Sequence, residues 1–212
     1  MTLEREEILK LNQLFTEFLI QVQEAAYEVS DGIDSSPFDS QQSLKYFGGK
    51  TYKSDANSSE DYLIHIAESL EKLRIELSQD SLLIMGDYPT PWLSQKNDYP
   101  PVAKALNYLE TIISESFSGG FKLKGKELIE FIPNLFWITR CNASLPTTYM
   151  CFVNSKTILS LCKYGILHLE FYDEAEAVLI KDFLNKYGFS ETSTCNDPVN
   201  FDSFQGRELN ML

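Results

Sequence analysis

The sequence has few of the residues that build metal and catalytic sites. Its only two histidines, His65 and His168, exclude a site with several histidine ligands. Cysteines are also few, and none of them forms the CxxC pair that is typical of zinc sites. We therefore expect no metal and no cofactor, and we expect free thiols in a reducing compartment. The four cysteines are Cys141, Cys151, Cys162 and Cys195.

Basic residues are scarce as well. The 212 residues include 18 Lys and Arg against 31 Asp and Glu, which gives a formal net charge of -13. Nucleic acids and anionic membranes are bound by clustered cations that neutralise phosphates, so this composition argues against both as partners. The same excess of acids favours solubility, and it would attract a basic partner protein.

Long apolar runs are missing too. No uninterrupted apolar stretch approaches the roughly 18 residues that a membrane-spanning helix needs. Charged residues interrupt the first ten positions, which is unlike a secretory signal peptide. Together with the cysteine usage, these features predict a cytoplasmic protein.

The sequence does contain a regular apolar pattern in its first half. Apolar residues recur at three- and four-residue spacing over residues 3–29, 59–78 and 101–117, which predicts three helices. Residues 31–59 are rich in Ser, Gly, Asp and Lys, and we expect a long surface loop there. A short strand is expected over residues 82–85.

In the last third of the chain, the residue pattern changes to a period of two, which is typical of strands. Four runs rich in β-branched and aromatic residues lie within residues 135–172, and they predict an antiparallel meander with short turns. Leu167, Leu169 and Phe171 are expected to face the helices, and a final helix is expected to begin after Asp173. The four runs are LFWITRCN, TYMCFVN, KTILSLC and GILHLEFY.

These elements predict an α+β fold in which three N-terminal helices are followed by a four-stranded antiparallel meander and a C-terminal helix. We expect one domain over residues 1–190, with a helical part over about 1–118 and a sheet part over about 121–189. Within the latter, residues 121–132 are compatible with either a strand or a short helix, which Pro133 is expected to end. Residues 191–212 are expected to form a polar acidic tail.

Three polar residues are the best candidates for a catalytic site in this sequence. In the predicted meander, Ser160 lies almost opposite His168, and Glu170 lies two residues further along the same face. A hydroxyl, an imidazole and a carboxylate are the ingredients of nucleophilic catalysis. A flat sheet face offers no oxyanion hole, however, so we expect a solvated polar face and no catalytic site.

Candidates for binding a partner come from a segment rich in proline and aromatic residues, IMGDYPTPWLSQKNDYPP, which spans residues 84–101. Its prolines stiffen the chain, and a stiff loop loses little entropy when it binds. Tyr88, Trp92 and Tyr99 supply the aromatic surface that anchors many interfaces. For Trp92 we favour a core position between the second and third helices.

The tail acids Glu191, Asp197 and Asp202 are the other candidates for binding a partner. Their charge would steer a basic protein toward this end of the chain. Arg140 lies among apolar residues, so we expect it to form a structural ion pair with Glu170 or with a tail acid.

Two hypotheses about function follow from the sequence. The first is a non-enzymatic acidic interaction protein that binds a basic protein partner, as immunity proteins and other inhibitors do. The alternative is a small-molecule-binding or enzymatic α+β domain with a pocket between the sheet and the helices. An acidic surface without a deep pocket would favour the first hypothesis, and an enclosed apolar cavity with convergent polar groups would favour the second.

Overall fold

Strands from both halves of the chain form one antiparallel sheet in this computed structural model, which describes residues 1–30, 45–141, 145 and 147–201. The eight strands of the described residues are β1 (Thr2–Leu3), β2 (Gly48–Ser54), β3 (Leu82–Gly86), β4 (Gly120–Leu123), β5 (Thr148–Phe152), β6 (Thr157–Leu161), β7 (Leu167–Phe171) and β8 (Phe189–Glu191). They lie side by side in the order β1-β4-β3-β5-β6-β7-β2-β8.

The helices lie on both faces of this sheet. Within the described residues they are α1 (Arg5–Leu9), α2 (Gln13–Ser30), α3 (Ser59–Glu76), α4 (Pro100–Glu110), α5 (Gly125–Cys141) and α6 (Glu174–Lys186). The helices α3, α4, α5 and α6 share one apolar core with the first face, where alternate strand residues such as Ile84, Phe152 and Leu169 are buried.

The second face of the sheet is covered by α1 and α2 over its central strands. Ile8, Phe15 and Phe18 form a separate apolar core there with side chains such as Leu83 and Cys151. Ile158 of β6 still belongs to this second core, but farther along the same face, toward β7 and β2, most outward side chains are polar. We call Ser160, His168, Glu170 and Thr51 the polar sheet face.

Local sequence signals explain where several of the helices begin. Ser58 caps α3, since its hydroxyl oxygen accepts a hydrogen bond from the Asp61 amide at 3.1 Å. Asp173 caps α6 in the same way through the Glu176 amide at 3.0 Å. At the start of α2, the buried Asn12 accepts a hydrogen bond from the Phe15 amide at 2.9 Å.

The predicted arrangement of three helices, a four-stranded meander and a C-terminal helix is wrong, although α+β is a fitting description of the class. The described residues form an eight-stranded sheet, and β1, β2 and β3 come from residues 1–118, which were predicted as the helical part of the domain with one short strand. The predicted first helix is divided into α1 and α2. Residues 48–54 form β2 instead of belonging to a surface loop, whereas residues 31–44 lie outside the described residues.

The run LFWITRCN was assigned to the wrong element. Its residues 135–141 belong to α5, which continues through Pro133 and ends at Cys141, and residue 142 lies outside the described residues. The buried residues of α5 keep helical spacing on both sides of Pro133, namely Leu128, Phe131, Ile132, Leu135 and Phe136. Burial between α3 and α4 offsets the backbone hydrogen bond that Pro133 removes, so the proline does not end the helix.

The other three runs were assigned correctly. They form β5, β6 and β7, consecutive antiparallel neighbours joined by short turns. Leu167, Leu169 and Phe171 are buried against the helical layer, as predicted. Three further predicted elements are present. The helix predicted over 59–78 is α3, the helix predicted after Asp173 is α6, and the strand predicted over 82–85 is β3. The division into a domain over 1–190 and a tail over 191–212 stays a prediction.

No helix of the described residues combines the length and the apolar character that crossing a membrane requires.

Candidate functional sites

A groove opens on the outer side of the helical layer. Its walls come from residues 59–64 of α3, 100–108 of α4 and 130–137 of α5, and it encloses about 860 Å³. We call it the helical groove. Because α5 contacts both α3 and α4, it forms the floor between the two other helices.

The surface of the helical groove is mainly apolar. Leu63, Pro133 and Trp137 line it, and Ile64 presents 40% of its surface to solvent. Ile64 lies beside Leu63 and outside the regularly spaced buried stripe of α3. An exposed apolar side chain of this size at a concave site is a typical anchor point for a partner.

Polar groups stand at the rim of the groove. The carboxylates of Glu60 and Glu130 are exposed, and Lys104 lies on the α4 side. Lys126 approaches Glu130 at 3.2 Å, in an exposed i,i+4 pair of the kind that contributes little to stability. Burial raises the pKa of Tyr108, so its hydroxyl group stays protonated and can donate a hydrogen bond.

The segment over residues 84–101 has two roles. Trp92 lies in the core with 2% of its surface exposed, and its indole Nε1 donates to the Gly119 carbonyl oxygen at 3.0 Å. Tyr99 packs edge-on against Trp137, with the ring centroids 6.0 Å apart, at the end of the groove. Tyr88 is half-buried near the start of the segment. The end of the segment thus builds a groove wall, whereas its middle fills the core.

The polar sheet face has the geometry that the sequence predicted. Ser160 and His168 are direct partners in the register of β6 and β7, and Thr51 is the partner of His168 on β2. Glu170 follows on the same face, where burial raises the pKa of its carboxyl group. A shallow pocket of about 300 Å³ lies over β7 and β2.

His168 also contacts a side chain that the sequence did not suggest. The Nε2 atom of His168 lies 3.4 Å from Sγ of Cys195, which follows β8. Ser160 sits in the middle of β6, where the neighbouring amides take part in sheet pairing and are not available as an oxyanion hole. That Ser160, His168 and Glu170 form no catalytic site stays a prediction.

The tail acids that fall within the described residues form ion pairs. The two terminal guanidinium nitrogens of Arg140, Nη1 and Nη2, donate to the Asp197 carboxylate at 2.7 and 2.9 Å. The structural ion pair expected for Arg140 is present, although Arg140 is carried by a helix. Glu191 pairs with Lys50 near the edge of the sheet. Asp202 lies outside the described residues.

We expect these two acids to differ in their contribution to stability. Replacement of Asp197 by asparagine should lower the free energy of unfolding by about 1–3 kcal/mol, because it removes the charge that the Arg140 side chain, only 12% exposed, contacts. The matched control is Glu191→Gln in an exposed pair, which should change stability by less than about 1 kcal/mol. Denaturant unfolding of both variants measures the difference, and equal losses would contradict this interpretation.

No protein-family model, curated protein or solved structure matches this chain.

Proposed function

We propose that this protein is a non-enzymatic acidic interaction protein that binds a basic protein partner, in the manner of an immunity protein or another inhibitor. The observation that carries the proposal is the helical groove, with its exposed Ile64 and its carboxylates at the rim. A basic segment of a partner would place apolar side chains in the groove and its cations beside Glu60 and Glu130.

The shape of the groove supports a docking function. Leu63 belongs to the main apolar core, and Tyr108 and Trp137 pack against it, so these walls of the groove are held in place before binding. A preformed surface loses little conformational entropy on association. The partner anchors that suit such a groove are apolar or aromatic side chains presented by a helix.

The charge of the chain supports a basic partner. The net charge of -13 attracts cations over a distance set by the ionic strength, and it repels acidic competitors. The same negative charge disfavours binding to nucleic acids or anionic membranes, because both carry negatively charged phosphates. The free cysteines of the described residues, Cys141, Cys151, Cys162 and Cys195, support the proposal that the protein acts in the cytoplasm.

The alternative, a ligand pocket between the sheet and the helices, has less support. Side chains from both layers, such as Ile66, Phe121, Phe131 and Phe136, fill that space and are buried there. The pocket on the polar sheet face is about a third of the size of the helical groove. We therefore favour binding of a protein partner.

Selection from a random peptide library displayed on phage tests the proposal before any natural partner is identified. Clones retained by the folded chain should combine Lys and Arg with apolar or aromatic residues. A parallel selection against Ile64→Ser should lose these clones. Enrichment of acidic or purely apolar peptides, or the same clones on both proteins, would contradict the proposal.

A further inference from the structure

Three potential metal ligands meet at the edge of the polar sheet face. The side chains of Cys162, His168 and Cys195 each place one ligand atom so that the three atoms lie within 4.8 Å of one another. The distance between Cys195 Sγ and His168 Nε2 is 3.4 Å. None of the three takes part in the helical groove, so this site is independent of the proposed function.

The fold holds the ligands on three segments. Cys162 follows β6 in the tight turn to β7, where its amide donates to the Ile166 carbonyl oxygen at 3.1 Å and its own carbonyl accepts from the Gly165 amide at 2.8 Å. His168 lies within β7. Cys195 follows β8, which is attached to β7 through β2. The sheet therefore fixes two ligands, and the third lies on an exposed segment that can adjust.

The distances suit a tetrahedral ion. With bonds of about 2.3 Å to sulfur and about 2.0 Å to nitrogen, two sulfur ligands of a tetrahedral zinc ion are about 3.8 Å apart, and sulfur and nitrogen are about 3.5 Å apart. The pair Cys195 and His168 already meets the second distance. No two ligand atoms are more than 4.8 Å apart, so the widest pair must close by at most roughly 1.0–1.3 Å to reach this geometry.

The chemistry of the three ligand atoms determines which metal ions the site would prefer. Two thiolates and an imidazole favour zinc and similar borderline or soft ions, whereas magnesium and calcium prefer oxygen ligands. Two thiolates would also neutralise the charge of a divalent ion. We propose that Cys162, His168 and Cys195 bind one zinc-type divalent cation, with a fourth position open on the exposed side of Cys195.

The protonation of the ligands makes binding depend on pH. Burial lowers the pKa of His168, so the imidazole is neutral near pH 7 and ready to coordinate. Burial raises the pKa of the Cys162 thiol, so the ion must displace the proton there. Each thiol that coordinates the ion releases one proton to solvent.

Titration of the reduced protein with Co²⁺ tests the site. One equivalent should produce a thiolate-to-cobalt charge-transfer band and the strong visible absorption of tetrahedral cobalt, and Zn²⁺ should then remove both. Cys162→Ser, Cys195→Ser and His168→Ala should each weaken uptake by at least about 100-fold, because even changes outside the ligand shell cost 10–100-fold. Cys141→Ser is the matched control, and it should retain full uptake.

Three results would overturn the proposal. The first is a wild-type protein that is folded and fully reduced by thiol titration, but shows no charge-transfer band at stoichiometric Co²⁺. The second is a band that persists in Cys195→Ser, which changes an exposed side chain and should leave the fold intact. Recovery of a Cys162–Cys195 disulfide with no metal uptake after its reduction also counts against the site.

Discussion

Replacement of Trp92 by alanine is expected to lower the free energy of unfolding by about 3–5 kcal/mol. The indole ring is buried between the sheet and the helices, edge-on to Phe121 with the ring centroids 4.9 Å apart. Its Nε1–H bonds to the Gly119 carbonyl oxygen, and the substitution leaves that buried acceptor unsatisfied. Guanidinium unfolding measures the loss.

The control for Trp92 comes from the same proline-rich segment. Tyr88 is only half-buried, so Tyr88→Ala should change stability by no more than about 1 kcal/mol. If both variants lost the same stability, Trp92 would not have the core position described here. A variant of Trp92 that retained the wild-type stability would lead to the same conclusion.

Replacement of Ile64 by serine is expected to weaken binding of a selected basic peptide by at least about 30-fold, or ~2 kcal/mol. Ile64 is the exposed apolar side chain of α3 at the helical groove, and serine removes its apolar surface without adding charge. Because 40% of the side chain is exposed, the variant should keep most of its stability. Fluorescence polarisation with a labelled peptide measures the affinity.

Ile75 provides a matched control for this substitution. It lies on the same helix about 16 Å further along, outside the groove, and 60% of its surface is exposed. Ile75→Ser should therefore leave the affinity unchanged. Equal losses in both variants would show that the peptide does not bind in the helical groove.

The sequence predicted those parts of the fold that local patterns specify. The strands β5, β6 and β7 alternate clearly and are joined by short turns, so their pairing and the register of Ser160 with His168 followed from neighbouring residues. The helix α3 carries both an apolar stripe and a capping serine. Such signals lie within one or two elements, and they do not depend on distant contacts.

The remaining strands lack such signals. β1 and β8 have two and three residues, and β2 has the sequence GGKTYKS, which is typical of a loop. They are held in place by partners that are distant in sequence, as β2 is by β7 and β8. In α5, the weight given to Pro133 hid a helical period that continues on both sides of it.

Both proposed sites also bring together segments that are distant in the sequence. The helical groove combines parts of three helices. The only local signal in the sequence is Ile64, an apolar residue that lies next to Leu63 but outside the apolar stripe of α3. The spacing of Cys162, His168 and Cys195 matches no zinc motif. The turn after β6 relates the first two residues, but Cys195 reaches them only through the pairing of β8 with β2.

The central claim is that a groove with an acidic rim recruits a basic partner. The most direct test is to measure the association rate of a selected basic peptide at different salt concentrations. Between about 20 and about 200 mM salt the rate constant should fall at least about tenfold, because screening weakens the attraction. In the double variant Glu60→Gln and Glu130→Gln the fall should be smaller. The control, Glu110→Gln with Glu115→Gln, removes two acids that are also exposed but lie outside the groove, and it should match the wild type more closely. An association rate that does not depend on salt, or two double variants that behave alike, would contradict the claim.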